Sequence, residues 1–598
     1  MNHQNKKPSI WLRLLKEVRE YKKDALLSPL CTVCCVILEI LIPYLTASLI
    51  DDGISKGDMG HVVRVGMLMA AAALLAMFFG MRAGRHTARA ATGFAYNLRE
   101  KMFAHIQEYS FSNIDKFSTA GLVTRLTTDV TSMQNAMQMA LTMMTRSPVT
   151  LTVALVMAFS ISARLSVIFL GAMAFLILVF SFIFPRAMKY FHQMFKKYDA
   201  VNESVKENVG AIRVVKAYVR EDYESGRFRG AVTDLYNNSI SAEKIVSLNA
   251  PAMMLTVYSC ILLISWFGAK LIVGHTGFTT GQLTSLLSYV MNILISLMML
   301  SMVLVMITQS AAAAQRIYEV LEETPDIVSP EGAKTEVADG SIDFDHVSFS
   351  YVKGNGKPVL SDIDLHIRSG ETVGIIGGTG SSKSSLVNLI SRLYDVSEGS
   401  LKVGGRDVRD YSLEALRDAV AVVLQKNVLF SGTVMDNLRW GNKDATEEEC
   451  REACRLSCAD EFIEKMPDQY QTKIERGGAN VSGGQKQRLC IARALVGRPK
   501  VLILDDSTSA VDTATDAKIR RALREYIPET TKIIIAQRIS SVEDADRVLV
   551  LDEGRVTGFD TPQNLLANNK IYREVWESQK QNGGGDFDEA GAKGGDRA

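Results

Sequence analysis

Residues 377–384 read GGTGSSKS and lie between an apolar run, TVGII, and the start of a helical pattern, SLVNLI. A glycine-rich turn between a strand and a helix, closed by lysine and a hydroxyl residue, is a phosphate cradle. Backbone N–H groups of Gly377, Gly378, Thr379, Gly380, Ser381 and Ser382 would surround phosphate oxygens at the positive end of the helix. Lys383 would reach the outer phosphates and the Ser384 hydroxyl would ligate Mg2+, with Ser385 next in the same helical turn. The cofactors this chemistry calls for are ATP and Mg2+. Ser382 stands where the pattern has its last glycine. If that position needs a left-handed backbone, serine costs about 1–2 kcal/mol. A glycine turn without chemical consequence would not also bring strand, lysine and hydroxyl into register.

A second cluster follows in VLILDD, where an apolar strand ends on two carboxylates, Asp505 and Asp506. In phosphate-loop enzymes a buried strand ends in an aspartate that holds magnesium, and Asp505 occupies that place. By itself such a strand is also what a core strand meeting solvent looks like. Upstream, however, NVSGGQKQRL opens a helix with Ser482, Gly483, Gly484 and Gln485, which offers N–H groups and a dipole to an anion.

These groups must be held by something, and the two halves of the chain differ. The whole carries 67 basic and 66 acidic residues, so bulk electrostatics argue against nucleic acid as a partner. Of the 25 methionines, only Met435 and Met466 lie beyond residue 320. Apolar runs of the length a bilayer requires, roughly 20 residues, occur near residues 24–50, 62–84, 137–161, 165–187, 247–273 and 281–308. The long intervening loops, 85–136 and 188–246, carry the basic residues, which makes them cytoplasmic together with both termini. Residues 1–23 read as an interfacial elbow helix with Trp11, Leu14, Leu15 and Val18 on one face. The fold expected is multi-domain: an all-α six-helix transmembrane domain over 24–320, a polar linker over 321–340, an α/β phosphate-loop ATPase domain over 341–577, and a flexible polar tail over 578–598.

With these motifs in hand, the chain resembles the ABC transporter family, in detail the exporter half-transporters with six spans followed by one ATPase domain. The resemblance covers residues 8–577 and rests on GGTGSSKS, VSGGQ, VLILDD, VVLQKNVLFSGTV and WFGAKLIVGHTGFTTGQL. It implies that Tyr351 stacks on adenine and that Gln425 joins Ser384 and Asp505 at magnesium. It implies further that the segment from Ser482 to Gln485 caps the γ-phosphate held by the opposite ATPase domain, and that Asp512 links the two sites across the dimer. FSNIDKFSTAGLVTRLTTDV and GAIRVVKAYVREDYESGRF are similar to the segments whose short coupling helices rest on the ATPase domains. The family setting is the bacterial plasma membrane, with the ATPase domain cytoplasmic.

Two positions depart from that pattern. The residue after the magnesium aspartate is usually glutamate, the base for the attacking water; here it is Asp506, one methylene shorter. The next strand should lead to a histidine that contacts the γ-phosphate; here IIIAQRIS places Gln537 there. The last histidine of the chain is His366, so none replaces it locally. A misplacement of about 1 Å can cost on the order of 100-fold, and a lost general base on the order of 10² to 10⁴. The chain's own site therefore reads as ATP-binding and poorly hydrolysing, while its signature segment is intact. That combination resembles the degenerate-site subunit of heterodimeric bacterial multidrug exporters, whose partner is a second half-transporter that keeps the glutamate and the histidine. The alternative is a slow homodimer that uses Asp506 as a weakened base.

Substrate is less determined. Met291, Met298, Met302 and Met306 fall within about 80° around the sixth span at about 100° per residue, a face suited to amphiphilic ligands or to lipid and helix packing. Glu39 and Arg146 lie within the first and third spans, as a structural pair or along a path for cations. Cys450, Cys454 and Cys458 recur at helical spacing without a nearby histidine, which reads as a small apolar stripe rather than a metal cluster. Three functions remain: an ATP-driven exporter of drug-like or lipid-like amphiphiles, an importer of a metal chelate on the same fold, and a nonenzymatic subunit that uses ATP as a clamp.

Overall fold

The structure is a computed structural model and describes residues 10–275, 277–352, 356–378, 380–507 and 510–581. It divides into two compact units. One gathers the chain up to Gln107 with Ala120–Glu322; the other gathers Glu108–Thr119 with Glu323 onward.

Among the described residues, the first unit holds only helices and the turns between them. Its long elements are Lys22–Ser48, Met59–Gln107, Val130–Ile161, Ala163–Gly210, Glu221–Val246, Asn249–Val273 and Thr280–Glu322. Among the described residues, six helices are long and apolar enough to cross a membrane; they contain the first five apolar runs of the sequence and residues 281–300 of the sixth. The 49-residue helix Met59–Gln107 exceeds the roughly 20 residues that a bilayer core requires. The long basic segments expected to be loops are thus mostly helical continuations of the spans. Apolar length marks where a span leaves hydrocarbon, whereas the helix ends only where its backbone bonding is interrupted. Such an interruption falls around Ser110, which caps the short helix Phe111–Phe117 together with Asn113.

The elbow is present as Ile10–Leu15 and a 3-10 turn Lys16–Tyr21, broken at Arg19 with φ 39°. Its expected single apolar face divides: Leu14 and Val18 are buried, while Leu15 is exposed. The turn brings Glu17 into the interior, where Lys101 and Arg19 neutralise it.

In the second unit, a six-stranded sheet runs in the order Arg555–Asp560, Arg547–Asp552, Thr372–Ile376, Thr531–Ile535, Val501–Asp505 and Val420–Val423, parallel except for the first of these. The strands Thr372–Ile376, Val501–Asp505 and Thr531–Ile535 are buried along their whole length, as parallel strands covered on both faces must be. A second, antiparallel sheet contains Ile342–Phe349, whose alternating sequence packs one face inward. The final helix, Lys570–Gln581, carries the folded domain past the expected limit at residue 577; of the expected tail, residues 582–598 lie outside the described residues.

Candidate functional site

The carboxyl ends of the central parallel strands converge, and the turns that leave them carry the phosphate-loop groups. Strand Thr372–Ile376 leads through the glycine turn to the helix Lys383–Ile390. A Cβ at Gly377 would lie 2.2 Å from the Leu551 carbonyl oxygen, so only glycine lets the loop leave the sheet there. At Gly378 and Gly380 a Cβ would meet nothing within 4 Å, which leaves their backbone open to a ligand. Thr379 lies outside the described residues. Lys383 Nζ donates to the carbonyls of Gly377, at 2.8 Å, and Gly378, at 3.0 Å. Burial lowers the pKa of this ammonium, against the partial counter-effect of Asp505 and Asp506.

Ser382 is left-handed, with φ 70° and ψ 24°. The conditional cost of serine at this position therefore applies. Ser382→Gly is expected to stabilise the nucleotide-free protein by about 1 kcal/mol, seen as a higher unfolding temperature with Mg-ATP binding retained. An unchanged or lower unfolding temperature would mean that the serine carries no backbone strain.

Asp505 pairs in register with Ile535 at the end of its strand and is buried. Burial raises its carboxyl pKa, while the Ser384 hydroxyl, hydrogen-bonded to it, and Lys383 oppose the rise. A buried carboxylate and a hydroxyl oxygen are hard-oxygen donors of the kind that suits Mg2+, while the third expected donor, Gln425, is seen in contact with Asp506. The next residue, Asp506, turns away with φ 46° and donates its N–H to the Ile535 carbonyl at 3.0 Å. Its Oδ2 accepts from two amides, Gln537 Nε2 at 3.2 Å and Gln425 Nε2 at 3.4 Å. Both departures from the expected pattern are thus in direct contact.

Tyr351, 47% exposed, donates to or accepts from Ser385 Oγ at 2.9 Å. Its ring meets Phe349 and Tyr394 edge-on, with centroids 4.8 and 5.1 Å apart. The sequence reading did not single out Tyr394. Its hydroxyl donates to Asp115 in the helix Phe111–Phe117 at 2.7 Å, and its ring meets Phe111. Burial and the Asp115 carboxylate raise the pKa of this phenol. Asn113 and Lys116 of the same helix bind Glu323. The helix Phe111–Phe117, the first part of the first candidate coupling segment, thus packs within the ATPase unit, beside the aromatic group at Tyr351.

The signature segment is built as an anion-facing helix start. Ser482 caps the helix Gly483–Val496: its Oγ accepts from Gln485 N at 3.3 Å, and Gln485 Oε1 accepts from Ser482 N at 2.9 Å. Gln485 is occupied in shaping the turn. The Ser482 hydroxyl proton and the first N–H groups, of Gly483 and Gly484, remain as donors, since a helix supplies no partner for its first N–H groups. Gln487 Oε1 accepts from Ala510 N at 3.0 Å, joining this helix to the loop before Asp512. Asp512 itself caps Thr513–Tyr526, with Oδ1 accepting from Thr515 N at 2.9 Å, and these bonds lower its pKa.

In the helical unit, Arg146 Nη2 donates to Glu39 Oε2 at 2.5 Å, so the two charges neutralise each other. Met291, Met298 and Met302 are exposed on the helix Thr280–Glu322, while Met306 is half-buried. Among the described residues, no group of three or more His, Cys, Asp or Glu side chains could hold a metal ion. Cys450, Cys454 and Cys458 are buried, and burial pushes the Cys454 thiol up to about 12.

Comparison with known proteins agrees over both halves. The family model of the ABC transporter transmembrane region matches residues 25–298, and the family model described as ABC transporter matches residues 360–509. An uncharacterized ABC transporter ATP-binding protein of Mycobacterium tuberculosis is 36% identical over 574 residues, 95% of this chain and 98% of the relative. The uncharacterized ABC transporter ATP-binding protein YfiB of Bacillus subtilis is 36% identical over 542 residues, 91% and 94% of the two chains. A solved structure of a bacterial Atm1-family ABC exporter with ATP bound aligns with a TM-score of 0.78 at 24% identity, covering 94% of this chain and 99% of that one. The chain belongs to the ABC transporter family, as a membrane-spanning half joined to an ABC-type ATPase half.

Proposed function

We propose that this chain is one half of a heterodimeric exporter of amphiphilic small molecules in a bacterial plasma membrane, with its termini and ATPase domain in the cytoplasm. Its own phosphate loop binds ATP and hydrolyses it poorly. Its signature segment completes the hydrolytic site of a partner that carries glutamate and histidine at the positions of Asp506 and Gln537.

The observation that carries this reading is the cluster of Asp506 with Gln425 and Gln537. In hydrolysis, water oxygen bonds to the γ-phosphorus while the bond to the β,γ-bridging oxygen breaks, giving ADP and phosphate. A base must take the water proton as that happens. Asp506 has the shorter reach, and its Oδ2 is already engaged by two amides. Gln537 offers a neutral donor where a histidine could carry charge.

ATP fits the loop through the open backbone at Gly378 and Gly380, with Lys383 at the phosphates and Tyr351 at the base. Mg2+, when bound, would draw on Ser384, Gln425 and Asp505 and would neutralise phosphate charge. A second chain is supported by exposed apolar residues around the short helix Ile212–Ala217, namely Ile212, Val214, Tyr218 and Val219. Such a patch calls for a partner surface.

For substrate, the exposed methionines supply a polarizable, adaptable wall, while the Glu39–Arg146 pair presents no uncompensated charge to select a cation. Inside-out vesicles containing the complex should accumulate amphiphilic dyes when ATP is supplied. Met298→Ala with Met302→Ala should change which dyes stimulate ATP turnover and leave basal turnover intact. Accumulation in right-side-out vesicles instead would favour the importer, and an unchanged dye profile would return the methionines to lipid contact.

A further inference from the structure

The turn that carries Gln537 is held by a residue from the far end of the chain. Strand Thr531–Ile535 makes its last ladder contact through Ala536 N, which donates to the Ile375 carbonyl at 3.3 Å. Beyond it the backbone leaves the sheet and enters the 3-10 turn Ile539–Ser541, whose first N–H has no partner of its own. Ile539 is buried, so its N–H needs a partner from elsewhere, and the carbonyl of the exposed Gln537 takes one as well.

Gln579 supplies both. Its Oε1 accepts from Ile539 N at 2.8 Å, and its Nε2 donates to the Gln537 carbonyl at 2.8 Å. A primary amide offers a donor and an acceptor in one plane without needing to be protonated. Gln579 stands on the helix Lys570–Gln581 three residues after Trp576, which follows Tyr572 by four, so all three share one face. Tyr572 is 2% exposed and Trp576 packs against the same core, so the helix is anchored before it reaches the turn. The two-pronged contact then continues: the backbone of residue 537 is gripped by Gln579, and the side chain of residue 537 reaches Asp506 Oδ2.

We propose that Gln579 is a positioning residue for ATP turnover: it splints the turn at residues 537–539, so that the docked C-terminal helix sets the reach of position 537 toward the γ-phosphate. This rests on the reading of position 537 as the γ-phosphate contact. Two variants separate the prongs. Gln579→Leu removes both bonds; Gln579→Glu keeps the acceptor for Ile539 N–H and sets a carboxylate against the Gln537 carbonyl.

Hydrogen exchange on the full-length chain in lipid nanodiscs reads the splint directly. The Ile539 amide should exchange about tenfold faster or more in Gln579→Leu, with the rest of the ATPase domain unchanged, as for a local opening. Turnover is read in the assembled transporter, in a background where Asp506→Glu and Gln537→His make this chain's site hydrolytic and the partner's own catalytic base is removed, so that only this site turns over. There Gln579→Leu should lower kcat by on the order of 10- to 100-fold, the effect of a displaced reacting group. The KM for ATP should stay within about twofold, because the splint touches no residue that holds the ground state. Gln579→Glu should fall between the parent and Gln579→Leu.

Unchanged exchange at Ile539 would overturn the splint. Faster exchange with unchanged kcat, or a lower unfolding temperature alone, would reduce Gln579 to helix docking and overturn its positioning role. If the repaired background gains no turnover, the reading of positions 506 and 537 fails, and the exchange comparison still decides the splint.

Discussion

Gly483→Glu is expected to lower ATP turnover of the assembled transporter by about 10² to 10³, the cost of removing preorganised donors from a transferring phosphoryl group. The residue opens the helix Gly483–Val496 beside its cap Ser482, and both residues are exposed. A Cβ at Gly483 would meet only the Ala510 Cβ, at 3.5 Å, an ordinary contact. The chain should therefore fold and still bind nucleotide at Lys383. A longer side chain would occupy the space that the partner's γ-phosphate needs. Gly484 is a poorer test, since a Cβ there would lie 2.8 Å from the Ala510 carbonyl oxygen and disturb this chain itself.

The contrast is Asp506→Asn in the same complex. Asp506 belongs to this chain's own site, and an asparagine keeps an oxygen for the amides of Gln425 and Gln537. Only a modest change in turnover is expected. The measurement is the ordering of the two variants at saturating ATP. If Asp506→Asn proves as damaging as Gly483→Glu, Asp506 is a working base and the division of labour between two unlike sites is wrong.

The second large effect concerns the chain without its partner. Purified alone and placed in lipid nanodiscs, it should bind Mg-ATP yet turn over at least about 100-fold more slowly than the complex, the loss expected from a misplaced base. A homodimer of this chain would hold two sites of the same kind, each with Asp506 and Gln537 where a stronger base and a charged donor are wanted. Parallel measurements of nucleotide binding and phosphate release separate inactivity from failure to fold. Fast release by the chain alone would establish the homodimer and refute the heterodimer.

Both experiments follow from residues visible in the linear chain, and the reason is physical. A phosphate cradle needs successive backbone N–H groups, a lysine and a hydroxyl within one turn, so residues 377–384 carry the whole device in contiguous sequence. The signature segment is equally local: the capping box of Ser482 and Gln485 spans four residues. Bilayer thickness imposes apolar length, so the six spans could be counted along the chain. The helical continuations of those spans were not legible as such because residues 85–107 are too polar for a bilayer span, and only the fold shows that one face of this helix, with Ala90, Phe94, Leu98 and Met102, is buried.

The sequence by itself determined the phosphate loop, the two aspartates, the missing histidine and the order of the two halves, because each depends on spacing within one element. Only tertiary structure decided that Ser382 bears a left-handed backbone, and that Asp506 is met by Gln425 and Gln537 from two other segments of the sheet. It also decided that Tyr394 meets Asp115, and that Gln579 grips the turn after Gln537. Pairs separated by 279 or 42 residues leave no periodic signal; they form because the helices Phe111–Phe117 and Lys570–Gln581 dock against turns distant in sequence, where polar groups left without a local partner find one across the fold.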